Sequence, residues 1–329
     1  MIIDTSELNR RYLLRIAGAR DNKAYIGPEV IGIGFTNSCN LTCQYCWIHG
    51  NGNPAHLDKA HHFPWEKFVG IVDDSVELKV DQIQIVGSGE PTLHPRFREM
   101  MQYLADQPLS VKLFTNATFP EDLCSEIIKG DHVVVNLGAV DRQHFMDLQG
   151  KDLFDRVINN IKRFVALRDT TKTEFHIEIA YILHTGNIQE HQQMQKLAAE
   201  LRVNSVYYGR MNEVPYNKEF ALPEGQPGDM AGEIRRTPPS CLNGWFHSIV
   251  NVDDNYSFCY RIAKMRSSDF DQWGFKEFWR SQQMDELRSL GKYGHVQKMF
   301  KACLTCPFYE RNMTRALALS RMVENEART

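Results

Sequence analysis

Three cysteines stand close together in Thr36-Asn37-Ser38-Cys39-Asn40-Leu41-Thr42-Cys43-Gln44-Tyr45-Cys46, a C-x3-C-x2-C run that directly follows an apolar stretch. Thiolates this close can take three corners of a cubic iron–sulfur cluster, whereas a structural zinc or a fully ligated cluster wants a fourth ligand nearby. No fourth cysteine adjoins them in the sequence. An iron without a protein thiolate is an open coordination position, and open positions are where metal sites do chemistry. A zinc knuckle or a set of ordinary buried thiols is the bland alternative. A second group, Cys241, Cys259 and the pair Cys303 and Cys306, offers four thiols, enough for a closed site holding zinc or a cluster, although scattered free thiols are also open. Cys124 is left over beside Leu123 and Ile127 on a helical pattern and reads as core.

The elements that must position these groups alternate. Glu29 to Phe35 is an apolar run that reads as a buried strand delivering Cys39 into the next loop. Further strands are expected at Gln82–Val86, Val111–Thr115, His132–Leu137, Glu174–Leu183 and Val206–Gly209. Helices are expected between them at Trp65–Leu78, Pro95–Asp106, Pro120–Lys129, Phe154–Arg168 and Ile188–Leu201. Strands alternating with helices imply a parallel sheet with helices outside, whose strand C-termini carry the active face. Before this, residues 1–28 hold one amphipathic helix through Leu8, Tyr12, Leu13 and Ile16, stopped at Gly27-Pro28. After it, Pro223-Glu224-Gly225-Gln226-Pro227-Gly228 marks a linker, and Ile249 to Tyr260 reads as a hairpin around Asp253-Asp254-Asn255. His49, His56, His61 and His62 share one glycine-bearing loop and read as solvated, His49 being the one nearest the cysteines.

The first cysteine run, with Tyr45 before its last member, resembles the signature of the radical S-adenosylmethionine (SAM) superfamily. Ile85-Val86-Gly87-Ser88-Gly89-Glu90-Pro91-Thr92 resembles that family's Gly-Gly-Glu element, with Ser88 at the first glycine position of the pair and Gly89 at the second. The resemblance implies an α/β fold, a partial (β/α)6 TIM-like barrel over residues 29–211, with SAM on the open iron of a 4Fe-4S cluster held by Cys39, Cys43 and Cys46. It also implies that Tyr45, Ser88, Gly89, Glu90, Asn116 and Asn136 contact SAM. The order Cys241, Cys259, hairpin, Cys303, Cys306 is similar to the twitch extension. That implies a small C-terminal α+β domain at 236–310, a hairpin plus helix holding an auxiliary 4Fe-4S cluster, between a linker at 212–235 and a C-terminal helix at 311–329.

By the same resemblance, a 5'-deoxyadenosyl radical abstracts hydrogen from substrate, and a fully ligated second cluster accepts an electron. The sum is a two-electron oxidation, as in the 2-deoxy-scyllo-inosamine dehydrogenases, whose cysteine pattern is similar. The expected substrate is a polar small molecule such as a cyclitol or sugar alcohol, met by Arg210 and Tyr208, with flavodoxin or ferredoxin as electron donor. Peptide crosslinking or epimerisation is the main rival, although only 38 residues precede Cys39, too few for a winged-helix leader-binding domain. A redox-neutral sugar dehydratase or epimerase and a zinc-holding adaptor complete the alternatives.

Composition excludes other classes. Lys plus Arg is 38 against 41 Asp plus Glu across 329 residues, with no basic stripe of the kind that nucleic-acid binding needs. No apolar run approaches membrane-spanning length and no signal segment opens the chain, so a cytoplasmic location is expected.

Overall fold

The computed structural model describes residues 4–50, 60–171, 174–211, 219, 221, 240–253, 255–259, 274–295, 303, 306 and 308–326. Six parallel strands follow one another across the sheet: β1 (Val30–Gly34), β2 (Gln82–Val86), β3 (Ser110–Thr115), β4 (His132–Asn136), β5 (His176–Leu183) and β6 (Ser205–Arg210). Each pairs with its sequence neighbour, in registers such as Val30 with Gln82 and Lys112 with His132. Helices run between them: α2 (Trp65–Glu77), α3 (Phe97–Ala105), α4 (Cys124–Ile127), α5 (Arg142–Gln149), α6 (Phe154–Thr171) and α7 (His191–Leu201), preceded by α1 (Thr5–Asp21). This is the parallel α/β sheet with outer helices that the alternation implies, in the partial-barrel form that the resemblance implies.

The strands sort their side chains by parity, because successive residues point to opposite faces. Ile83, Ile85, Val111, Leu113, Val133, Val135, Ile177 and Ile179 are buried in the main core between sheet and helices. The alternate positions, Gln82, Gln84, Lys112, His132 and Glu178, fill the concave side with polar groups. Apolar burial therefore fixes the sheet from outside, and the inner face is free to carry chemistry.

Two expectations about elements need correction. The region 120–129, read as one helix, is a 3-10 turn at Glu121–Leu123 and a single α-helical turn at α4, in which Cys124 is fully buried as expected. In the other, α5 stands where no element was read. It is capped by Asp141, whose side chain accepts from the His144 N–H at 2.9 Å, and ended by Gly150 at φ 80°, local signals that its eight-residue length obscured.

The expected hairpin forms as β7 (His247–Val250) and β8 (Tyr256–Ser257), with Tyr260 outside the described residues. It does not start a sheet of its own. β7 lies parallel to β1, with Val30 opposite His247, so the sheet runs β6-β5-β4-β3-β2-β1-β7-β8. Pairing with β7 covers the backbone edge that β1 would otherwise expose. Tyr256, Phe258, Phe275, Phe278 and Trp279 join the main core, and Trp279 Nε1 donates to the Ile26 carbonyl at 2.9 Å.

α1 packs against α8 (Asn243–Phe246) and α11 (Tyr309–Glu326) around Ile16, Ala19, Leu242, Trp245 and Phe246; α9 (Phe275–Trp279) and α10 (Gln282–Lys292) precede α11 in the chain. Arg15, only 2% exposed, bonds the Gly27 and Pro28 carbonyls and Asp81 at 2.6 Å, fastening α1 to the entries of β1 and β2. Of the expected linker 212–235, all but 219 and 221 lie outside the described residues. Among the described residues no helix is long and apolar enough to cross a membrane.

Candidate active site

Parallel strands bring all their C-terminal loops to one end, and the sequence motifs meet there. Cys39, Cys43, Cys46, the Gly87–Glu90 turn after β2, Asn116 after β3 and Asn136 at the end of β4 line one cavity of about 350 Å³. The cysteine loop is tied on both sides. Thr36 Oγ1 donates to the His61 carbonyl at 3.0 Å, and Asn37 Oδ1 accepts from the His61 N–H at 2.7 Å. On the other side, Gln44 N–H donates to the Leu148 carbonyl at 2.8 Å and Gln44 Nε2 to the Asp147 carbonyl at 2.7 Å. The unforeseen α5 is thus what holds the middle of the cysteine run.

Burial pushes the Cys39 thiol up to about 11 and the Cys43 thiol up to about 12, each raised further by neighbouring acidic groups. Those neighbours include the other cysteines of the run, which places the three thiols in one electrostatic group. Without a cation Cys39 and Cys43 would stay protonated at neutral pH, and a bound iron centre would reverse that preference by supplying positive charge. Cys46 Sγ accepts backbone N–H bonds from Ile48 at 3.4 Å and His49 at 3.2 Å, the arrangement that stabilises a ligating thiolate. The donor set fits a cluster.

The other expected contacts divide by what they already hold. Glu90 is buried, and burial raises its carboxyl pKa against four hydrogen bonds that oppose the shift. Oε1 accepts from Thr92 Oγ1 at 2.8 Å, the Thr92 N–H at 3.2 Å and Thr115 Oγ1 at 2.7 Å; Oε2 accepts from the Asn116 N–H at 2.7 Å. Glu90 is therefore first a clamp between the ends of β2 and β3, with acceptor capacity left on Oε2. Asn116 is similarly engaged, donating to Asn40 Oδ1 at 2.9 Å and accepting from Thr118 at 2.7 Å. Asn136 differs: its buried Oδ1 has no hydrogen-bond partner, an acceptor at the cavity that a ligand's donor would satisfy. Tyr45 is buried and stacks on His184 at 4.9 Å.

Gly89 is required sterically. A Cβ there would sit 2.1 Å from the Ser38 carbonyl oxygen, which also accepts from the Glu90 N–H at 2.8 Å. Backbone contact this close places the Ser88–Gly89 turn directly on the cysteine loop. Gly89→Ala is expected to displace Ser38 and Cys39 together and to reduce the iron retained after anaerobic reconstitution by more than half, read by iron and sulfide analysis, with little change in far-UV circular dichroism.

One substrate assignment is overturned. Tyr208 lies on the helix side of β6, donating to the His191 carbonyl at 3.2 Å with its ring 6.1 Å from Tyr181. Tyr207 is the β6 tyrosine that lines the cavity, opposite Ala180, which lines it too. The two-residue period of a strand turns adjacent tyrosines to opposite faces, and only the register shows which faces in. Arg210 ends β6 opposite Leu183; its side chain lies outside the described residues. Sequence reasoning missed Phe114, Ile182 and Met211 on the wall. It kept His49 in view, whose Nε2 lies 2.7 Å from the Ser88 carbonyl.

At the second cysteine group, burial raises the Cys241 thiol, and the charges of Cys259, Cys306 and Cys303 raise it further, so the four thiols share one locality. The Cys241 N–H donates to the Gly291 carbonyl at 2.8 Å, and Asn312 Nδ2 approaches Cys306 Sγ at 3.9 Å.

An open parallel barrel with three thiols and an adjoining cavity at its C-terminal end defines a metal-cofactor enzyme class. Residues 33–190 match the Radical SAM superfamily. SAM and a 4Fe-4S cluster are the cofactors expected of it. A probable GTP 3',8-cyclase of Pyrococcus horikoshii is 28% identical over 190 residues, 57% of each chain, so this chain spans little more than half of that relative. Its Pyrococcus abyssi counterpart is 27% identical over 257 residues, 71% of this chain and 79% of its own. Among solved structures, Streptococcus suis SuiB bound to S-adenosylmethionine superposes with TM-score 0.65 at 15% identity, covering 88% of this chain and 75% of SuiB. Native anSMEcpe with bound AdoMet gives 0.56 at 15% identity, covering 80% of this chain and 83% of its own. These likenesses establish the fold.

Proposed function

We propose that the chain is a radical SAM oxidoreductase that oxidises a polar small molecule, a cyclitol or sugar alcohol, by two electrons. The supporting observation is the convergence of three thiols, the unpartnered Asn136 Oδ1 and a largely apolar cavity bearing two asparagine side chains at one end of the barrel. When bound, the three-thiolate cluster with SAM supplies a 5'-deoxyadenosyl radical for hydrogen abstraction, and a closed cluster on Cys241, Cys259, Cys303 and Cys306 supplies an electron acceptor. The chain's own part is placement. The Ser88–Gly89 backbone, Glu90 Oε2, Asn116, Asn136 and Tyr45 would cradle SAM. Phe114, Ile182 and Met211 exclude water from the reacting carbon, and Tyr207, with Arg210 at the end of its strand, would meet the substrate hydroxyl. In this reading residues 29–211 are the radical SAM barrel and 236–310 the twitch unit, reduced by a flavodoxin or ferredoxin.

The relatives' printed activity makes GTP cyclisation the second reading. A triphosphate calls for clustered cations, and the described cavity lining contains no lysine or arginine. The test is anaerobic turnover with SAM, reductant and ring-deuterated aminocyclitols or polyols, with GTP in parallel. Deuterium in 5'-deoxyadenosine with an equal amount of ketone supports oxidation. A cyclised purine product from GTP, or 5'-deoxyadenosine without label from every polyol, sinks it.

A further inference from the structure

The barrel end opposite the cysteines carries a second cluster of ligand-type side chains that the proposed chemistry does not use. His132 opens β4 and His176 opens β5, and the two are direct register partners; Glu178 follows two residues on, on the same face. One ligand atom from each of the three lies within 4.8 Å of the others. The imidazole rings stand 4.4 Å apart, and His132 Nε2 is 3.8 Å from Glu178 Oε2. His132 Nε2 is buried and has no hydrogen-bond partner. The His132 and Glu178 side chains are 17% and 18% exposed, enough for an ion to enter.

We propose that His132, His176 and Glu178 bind one divalent ion of the zinc type, clasping β4 to β5 at the barrel end opposite the cysteines. Two imidazoles and a carboxylate are a donor set for zinc, cobalt or nickel. Burial holds both imidazoles in the neutral, lone-pair-bearing form, the His132 pKa falling to about 3 with Lys112 and His176 adding to the effect. Ser205 Oγ lies 2.8 Å from His176 Nε2 and donates to Glu178 Oε2 at 3.2 Å, the kind of outer contact that orients metal ligands. Lys112 is the competing cation: its Nζ lies 3.5 Å from Glu178 Oε1, and burial lowers its pKa. Metal binding therefore leaves Oε1 to the lysine or displaces the lysine's proton.

The test uses the cluster-reconstituted chain, exposed to equimolar zinc and gel-filtered, with bound zinc counted by mass spectrometry and its environment read at the zinc K-edge. The expected result is one zinc per chain in a nitrogen and oxygen shell near 2.0 Å. His132→Ala and Glu178→Gln should each weaken retention by about 100-fold with iron content unchanged, and Lys112→Met should tighten it. The iron content also reports that each variant has folded. Zinc bound through sulfur near 2.3 Å, zinc retained equally by all variants, or no zinc retained by the wild type overturns the proposal.

Discussion

Replacing Cys39, Cys43 and Cys46 together by alanine is expected to lower the iron of the reconstituted chain from about eight to about four atoms and to reduce SAM cleavage to background. The argument rests on separation of the two thiol groups. Cys39, Cys43 and Cys46 perturb one another and line the cavity, whereas Cys241 answers to Cys259, Cys303 and Cys306. The first group is anchored by α5 and the Ser38–Gly89 contact, the second by Gly291 and Asn312. Removing the first should leave the second able to take up a cluster. Iron and sulfide analysis with electron paramagnetic resonance reads the outcome. A variant with no iron would remove the electron acceptor from the oxidative reading and turn attention to redox-neutral chemistry.

Glu90→Ala is expected to destabilise the chain by about 3–5 kcal/mol, because it leaves the Thr115 and Thr92 hydroxyls and the Thr92 and Asn116 N–H groups facing a buried void. For a chain of this size that is a fall of roughly 6–15 °C in Tm. Glu90→Gln keeps one oxygen for the three donors now on Oε1 and sets an amide N–H against the Asn116 N–H, so about 1–2 kcal/mol is expected. The pair separates two roles. If Oε2 also takes the SAM amino group, Glu90→Gln loses SAM affinity by far more than its modest Tm change accounts for. If Glu90 is only a clamp, affinity follows stability. Calorimetric titration with SAM beside thermal unfolding distinguishes them.

Much of this was legible in the sequence because it is written in short-range patterns. The six barrel strands follow from apolar runs bounded by turn residues, and Gln82–Val86 matches to the residue. The cysteine spacing and the Ser88-Gly89-Glu90 turn marked the candidate site before any fold was known, since three thiols within one loop need no long-range information to converge. Parallel connectivity then dictated that loops after β1, β2, β3 and β4 share one end.

Tertiary structure decided what depends on register and on contacts distant in sequence. Tyr207 rather than Tyr208 faces the cavity because pairing with Ala180 sets the parity of β6, and the pattern Val206-Tyr207-Tyr208 is apolar on both faces. Glu90 is a clamp because β3 brings Thr115 and Asn116 to it across 25 and 26 residues of chain. His132, His176 and Glu178 meet for the same reason: strand pairing joins segments that the sequence separates by helices α5 and α6. The β7 strand joined β1 instead of founding its own sheet because an open edge beside the site needed a partner, and a hairpin's sequence records its turn but not its neighbour.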